Sequence, residues 1–131
     1  MPRRLITTGS AFEKAFGYSR AVVQEPFVFV AGTTGYDYAT MALPEGAAEQ
    51  ARNCWRTIGG RARRGERCAR LADVVRATYY VTDAADAEPV LRVCGEVLAE
   101  IRPASTMLIV AGLLRPEMKV EIEVTAMKGS P

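Results

Sequence analysis

Any chemistry in this 131-residue chain has to run without histidine, because the sequence contains none. The commonest general base and metal ligand is therefore missing, which leaves carboxylates, hydroxyls, thiols, amines, guanidiniums and backbone groups. Glu121 and Glu123 alternate with Val120, Ile122 and Val124, so a strand would put both acids and Thr125 on one face. The same rule gives Ser105, Met107 and Ile109 a common face on an earlier run. Ala31-Gly32 could offer backbone groups to a ligand, since glycine permits close approach. Three cysteines, Cys54, Cys68 and Cys94, form no CxxC pair, and two of them fall on apolar helix faces where cysteine acts as a small core residue. That usage argues against a disulfide framework or a zinc site, and no cofactor is implied.

The elements that must position these groups follow from periodicity. Short strands are expected at 5–8, 18–24 and 27–31, the last two forming a hairpin around Glu25-Pro26. Gly32-Thr33-Thr34-Gly35 then ends the strand and 36–44 reads as a loop. A helix over 45–64 carries the stripe Ala47, Ala48, Ala51, Cys54, Trp55, Ile58 and Ala62, with Gly65 as its C-cap. The β-branched run 74–81 is a strand, and Thr82-Asp83 caps a second helix. That helix carries the stripe Val90, Leu91, Cys94, Val97, Leu98 and Ile101 and is stopped by Pro103. Strands at 105–112 and 119–127 complete the order β-β-β-α-β-α-β-β. This predicts a single α+β domain over 1–131, a two-layer sandwich of one mixed six-stranded sheet with both helices on one face. The other face is left for association with further copies.

Composition narrows the function. Hydrophobic residues make up 49% and charged residues 24%, ordinary globular usage, and a net charge of +2 announces no polyanion partner. Arginines gather over 52–70, but acids and turns interrupt them, so the reading is a solvated helix end and RNA binding gains little support. No run approaches the ~20 apolar residues of a membrane span, and the start lacks a signal-peptide core, so a cytoplasmic protein is expected.

Several phrases line up with a known family. Gly17-Tyr18-Ser19-Arg20-Ala21-Val22 and Val28-Phe29-Val30-Ala31-Gly32 resemble the "GPYSQAV" and "VFVSGQ" segments of the Rid/YjgF family of reactive-intermediate deaminases, also labelled endoribonuclease L-PSP. Glu49-Gln50-Ala51-Arg52-Asn53 resembles its "EQ" motif, and Leu71-Ala72-Asp73-Val74-Val75 with Tyr80-Val81-Thr82-Asp83 its "L.DVV…VYLTD". Pro103-Ala104-Ser105-Thr106 and Val120-Glu121-Ile122-Glu123 resemble "PARS/T" and "VEIE". The resemblance implies a chorismate-mutase-like homotrimer around a central barrel. Its intersubunit clefts would hold a small molecule and, in the active branch, hydrolyse imines to 2-keto acids and ammonia without a cofactor. An imine is already electrophilic, so such a site mainly holds a carboxylate and positions a water.

On that resemblance Glu121 matches the glutamate associated with the hydrolytic water, and Tyr18 matches a site tyrosine. Glu121 then acts as general base with Tyr18 or Thr106 as hydrogen-bond partners, and Tyr18, Ala31, Gly32, Thr33, Ser105, Met107 and Ile109 line the cleft. The chain departs from the pattern at Ser105, where the family carries the arginine that forks onto the substrate carboxylate. Met107 stands for a frequent cysteine, Ile109 for a polar position, Thr33 for Gln and Leu91 for Asn, so the implied cleft is more apolar and lacks its anion anchor. The implied function is a metabolite-binding trimer that is not a standard 2-imino acid deaminase. It is either a cofactor-free hydrolase on another small C–N compound or a non-catalytic binding protein. Arg20 and Arg115 are the candidate replacement cations, with surface arginine as the default reading of each.

Overall fold

Alternating β-branched and polar residues give six strands, and apolar residues at helical spacing give the helices laid across them. The computed structural model describes residues 2–60 and 67–129. In chain order these hold β1 (Arg4–Ile6), α1 (Ala11–Phe16), β2 (Ala21–Gln24), β3 (Phe27–Thr34), α2 (Ala47–Gly59), β4 (Val74–Val81), α3 (Ala87–Val97), β5 (Ala104–Ile109) and β6 (Val120–Met127). The strands form one mixed sheet ordered β1-β2-β3-β6-β4-β5. Only β4 and β5 run parallel, and α3 is the crossover that joins them. This is the expected α+β architecture.

The core lies between the sheet and helices α2 and α3. Ala51, Cys54 and Ile58 of α2 and Val90, Val93 and Cys94 of α3 pack on Ala77, Tyr79, Val81, Ile122 and Val124 of the sheet, all of them buried. At its centre the Trp55 indole donates to the Cys94 sulfur at 3.4 Å and meets Tyr79 edge-on. Gln50, fully buried, ties α2 to the loops around it. Its amide nitrogen donates to the Pro44 and Glu117 carbonyls, and its oxygen accepts from the Lys119 backbone. The close seat of α2 also needs Gly35, where a Cβ would meet the Gln50 backbone at 2.5 Å.

Several expectations are corrected. α1 was not expected; six residues are too few for periodicity to register, but Ser10 caps its start and Gly17, at φ 72°, its end. β3 runs on to Thr34 because a bulge carries it past the glycine: Val30 pairs with Val124 and Thr33 with Ile122, leaving Ala31 and Gly32 opposite Glu123 alone. α2 begins at Ala47, later than expected, and its C-cap among the described residues is Gly60. The rest of the expected helix, with Ala62 and the Gly65 cap, lies outside the described residues. Asp83 caps a single 3-10 turn, Ala84–Asp86, that precedes α3. Leu91 faces outward at 41% exposure, and Val93 is buried in its place on the core side. β5 ends at Ile109, short of the expected 112.

The opposite face of the sheet carries Phe27 and Phe29 of β3, Thr78 and Tyr80 of β4, Leu108 of β5, and Glu121, Glu123 and Thr125 of β6. No described helix covers it, and Phe27, Phe29 and Leu108 are each 39–48% exposed.

Candidate functional site

Glu121 sits on the open face of β6, paired with Thr34 of β3 on one side and Tyr80 of β4 on the other. Its carboxylate packs on the bulge: a Cβ built on Gly32 would lie 2.2 Å from Glu121 Oε1. Only glycine leaves this space. Burial raises the Glu121 carboxyl above its ordinary range; the positive charge of Arg20 opposes that shift and Glu123 adds to it. Tyr80 donates its hydroxyl to Glu123, so the second acid of the face already has a partner.

Arg20 corrects a default of the sequence reading. It is no surface arginine but a buried one, 1% exposed. Its Nη2 donates to the Gly32 carbonyl at 2.5 Å, and its guanidinium lies 6.0 Å from the centre of the Tyr18 ring. Its backbone N–H reaches Oε1 of Glu13, a buried acid of α1 whose other oxygen accepts from Thr8. Burial also raises the Tyr18 phenol, with Arg20 pulling the other way. Tyr18, Glu13, Gly17, Ser19, Ala31 and Glu123 line an open cleft of about 710 Å³. Arg115 is exposed and rests over the ring of Phe12.

The other expected site residues lie elsewhere. Thr33 is fully buried and donates its hydroxyl to the Ala31 carbonyl at 2.9 Å, so it shapes the bulge. Ser105, Met107 and Ile109 pair with Ala77, Tyr79 and Val81, which puts them on the helix side of the sheet. Ser105 is exposed, Met107 packs against the core, and Ile109 is 58% exposed. Thr106 shares the open face with Thr78 but lies two strands from β6, roughly 10 Å across the sheet. Within one chain, then, Tyr18, Ala31, Gly32 and Glu121 gather on one side of the sheet. Ser105, Met107 and Ile109 gather on the other, at its far edge.

The thiols offer no nucleophile. All three cysteines are buried; burial raises each thiol, that of Cys68 to about 11 and that of Cys54 further, and Cys54 donates to the Thr33 carbonyl. Among the described residues no cluster of three or more acids or cysteines could hold a metal. No described helix is long and apolar enough to cross a membrane.

What sequence reasoning missed was the pairing of Arg20 with the bulge. The one local signal was an arginine just before a buried strand, four residues beyond an unrecognised short helix.

A model of the family described as Endoribonuclease L-PSP matches residues 8–128. A RutC family protein, UK114, from Drosophila melanogaster is 33% identical over 134 residues, covering 98% of this chain and 91% of its own length. A protein named 2-iminobutanoate/2-iminopropanoate deaminase from Bos taurus is 31% identical over 128 residues, covering 97% of this chain and 91% of its own. Among solved structures, a member of the YjgF/YER057c/UK114 family from Mycobacterium tuberculosis superposes with a TM-score of 0.80 at 38% identity. That match covers 96% of this chain and 99% of the other.

Proposed function

The chain belongs to the endoribonuclease L-PSP family, and on that premise we propose that it works as a homotrimer whose intersubunit clefts bind a small, largely apolar metabolite and hydrolyse a C–N bond such as an imine. The observation that carries this reading is Glu121. It is a half-buried carboxylate with a raised pKa, seated on a glycine bulge beside Tyr18. A base shifted toward neutrality suits proton transfer from water better than an ordinary glutamate does.

In this scheme Glu121 takes a proton from water as the water oxygen attacks the imine carbon, and passes that proton to the imine nitrogen to give a carbinolamine. Glu121 then takes the carbinolamine hydroxyl proton and delivers it to the nitrogen as the C–N bond breaks, releasing the carbonyl product and ammonia. Atoms balance without a cofactor: imine and water give carbonyl and ammonia. The two half-sites of one chain face different sides of the sheet, so a cleft is completed when Ser105, Met107 and Ile109 of a second copy meet Tyr18, Gly32 and Glu121 of the first. The exposed Phe27, Phe29 and Leu108 support such packing.

The named activity of the bovine relative is on 2-imino acids. This chain is not assigned that substrate at ordinary rates, because Ser105 stands at the position of the family's carboxylate-binding arginine and brings neither its charge nor its forked donors. The test is turnover of imines generated from amino acids by an oxidase, by wild type, Ser105→Arg and Glu121→Gln. The reading expects weak wild-type turnover of 2-imino acids, a gain in Ser105→Arg and a loss in Glu121→Gln. Fast wild-type turnover would overturn the exclusion. Activity untouched by Glu121→Gln would overturn the role of the base.

The uncharged Ser105 also favours a second reading, a non-catalytic metabolite-binding or scaffold trimer. Thermal stabilisation by a ligand that is recovered unchanged would support it. The ribonuclease activity in the family description has no histidine pair to draw on here. Steeply salt-dependent binding of single-stranded RNA would revive it.

A further inference from the structure

Arg20 is the most deeply buried charged side chain among the described residues. A guanidinium taken out of water is costly unless its donors and its charge are answered. Here they are answered incompletely. Nη2 donates to the Gly32 carbonyl, the Tyr18 ring lies against the guanidinium, and Nε has no partner. No carboxylate among the described residues forms an ion pair with it. The nearest acid on α1, Glu13, receives the Arg20 backbone N–H instead.

The glycine that Arg20 holds is the one on which Glu121 rests. Gly32 is one of the two bulge residues that oppose Glu123 alone, so the pairing of β3 with β6 does not by itself settle its position. A guanidinium on its carbonyl supplies that restraint.

We propose that Arg20 is a positioning residue for Glu121: it locks the Gly32 bulge against which the Glu121 carboxylate rests and brings a fixed positive charge to that bulge. The proposal deepens the reading of Glu121 as the base and rests on it.

The groups around Glu121 leave this task to Arg20. Glu123 on the same strand is negative and already bonded to Tyr80 of β4. Tyr18 before β2 and Cys54 of α2, behind the sheet, are both raised by burial and stay neutral while a carboxylate titrates. Arg20 of the β2 edge is the cation among them, and its charge opposes the effect of burial on Glu121. The motif phrase that this segment resembles has glutamine at the same place. A glutamine amide can still donate to a carbonyl but brings no charge, so Arg20→Gln separates the two parts of the proposal.

The experiment titrates Glu121 directly. Protein labelled with 13C at the glutamate side-chain carboxyl is followed by NMR against pH, with Glu121→Gln assigning the resonance. The Glu121 midpoint is expected to move upward in Arg20→Gln and to return toward the wild-type value in Arg20→Lys. An unchanged midpoint in folded Arg20→Gln overturns the proposal. Should Arg20→Gln fail to fold, the reciprocal measurement decides. The Arg20 Nε resonance is expected to shift through the Glu121 midpoint in wild type and to stay flat in Glu121→Gln. An Nε resonance that is silent in wild type overturns the proposal equally. Neither measurement uses turnover, so its outcome is separable from the assignment of Glu121 as base, which Glu121→Gln tests on the imine.

Discussion

Oε1 of Glu121 rests on the α-carbon of Gly32 so closely that an added Cβ would lie 2.2 Å from it. This contact joins β6 to the bulge of β3 and explains why a glycine stands where the strand would otherwise accept any small residue. Gly32→Ala must therefore move the carboxylate, the bulge or both. A loss of about 1–3 kcal/mol in stability is expected, the range of an overpacked contact. Combining it with Glu121→Ala should recover part of that loss, a coupling of about 0.5–3 kcal/mol in a denaturant double-mutant cycle. Strict additivity would mean that the two residues do not press on each other.

Because burial raises the Glu121 carboxyl above its ordinary 4.5, its ionisation works against folding. The contribution of the protonated form is complete below the unfolded value and is lost as pH climbs through the folded one. Glu121→Gln stays neutral throughout, so its stability relative to wild type should increase across that window and then level off. Thermal melts of both proteins from about pH 4 to 8 give the difference. A difference that does not change with pH would show that Glu121 is not desolvated by the fold.

Gln50 is expected to matter more than its polar character suggests. Its fully buried amide serves Pro44, Glu117 and Lys119 at once, holding the loop before α2 and the start of β6 to the same helix. Gln50→Ala leaves all three backbone groups without this partner. A cost of about 2–4 kcal/mol follows in urea unfolding, more than an exposed polar residue would show. A change below about 0.5 kcal/mol would mean that water replaces the side chain freely.

The open sheet face gives the test of assembly. Phe29 stands on it at 48% exposure, stacked with Phe27 at 6.0 Å between ring centres. If copies meet through this face, Phe29→Asp places a charge in a buried contact and should convert the proposed trimer to monomer in light scattering at micromolar concentration. The helix-side core does not involve Phe29, so the far-ultraviolet circular dichroism should stay native. A trimer that survives the substitution would place the interface elsewhere.

Much of the fold was legible because its signals are local. The alternation of Val120, Ile122 and Val124 with Glu121 and Glu123, and the stripe Ala51, Cys54, Trp55 and Ile58, each appear in the structure on the faces that periodicity assigns. The Glu49-Gln50 phrase flagged a residue of consequence without revealing that Gln50 bonds three backbone groups. α1 escaped because a six-residue helix has no period to read, and only its caps, Ser10 and Gly17, mark it.

The candidate site was legible as residue types and not as an arrangement. The chain by itself determined the chemistry on offer: no histidine, buried thiols, and a carboxylate at Glu121 with Tyr18 and Gly32 as its expected company. Tertiary structure decided which of these groups meet. Ser105 pairs with Ala77 and Glu121 with Tyr80, so Ser105, Met107 and Ile109 of β5 and Glu121 of β6 face opposite sides of one sheet, while Thr106 shares the face of Glu121 two strands away. Arg20, a candidate cation taken by default as a surface arginine, lies buried at the Gly32 carbonyl. The reason is physical: a strand's alternation says which residues share a face, while register, bulge and strand order come from partners far along the chain and decide what that face looks onto.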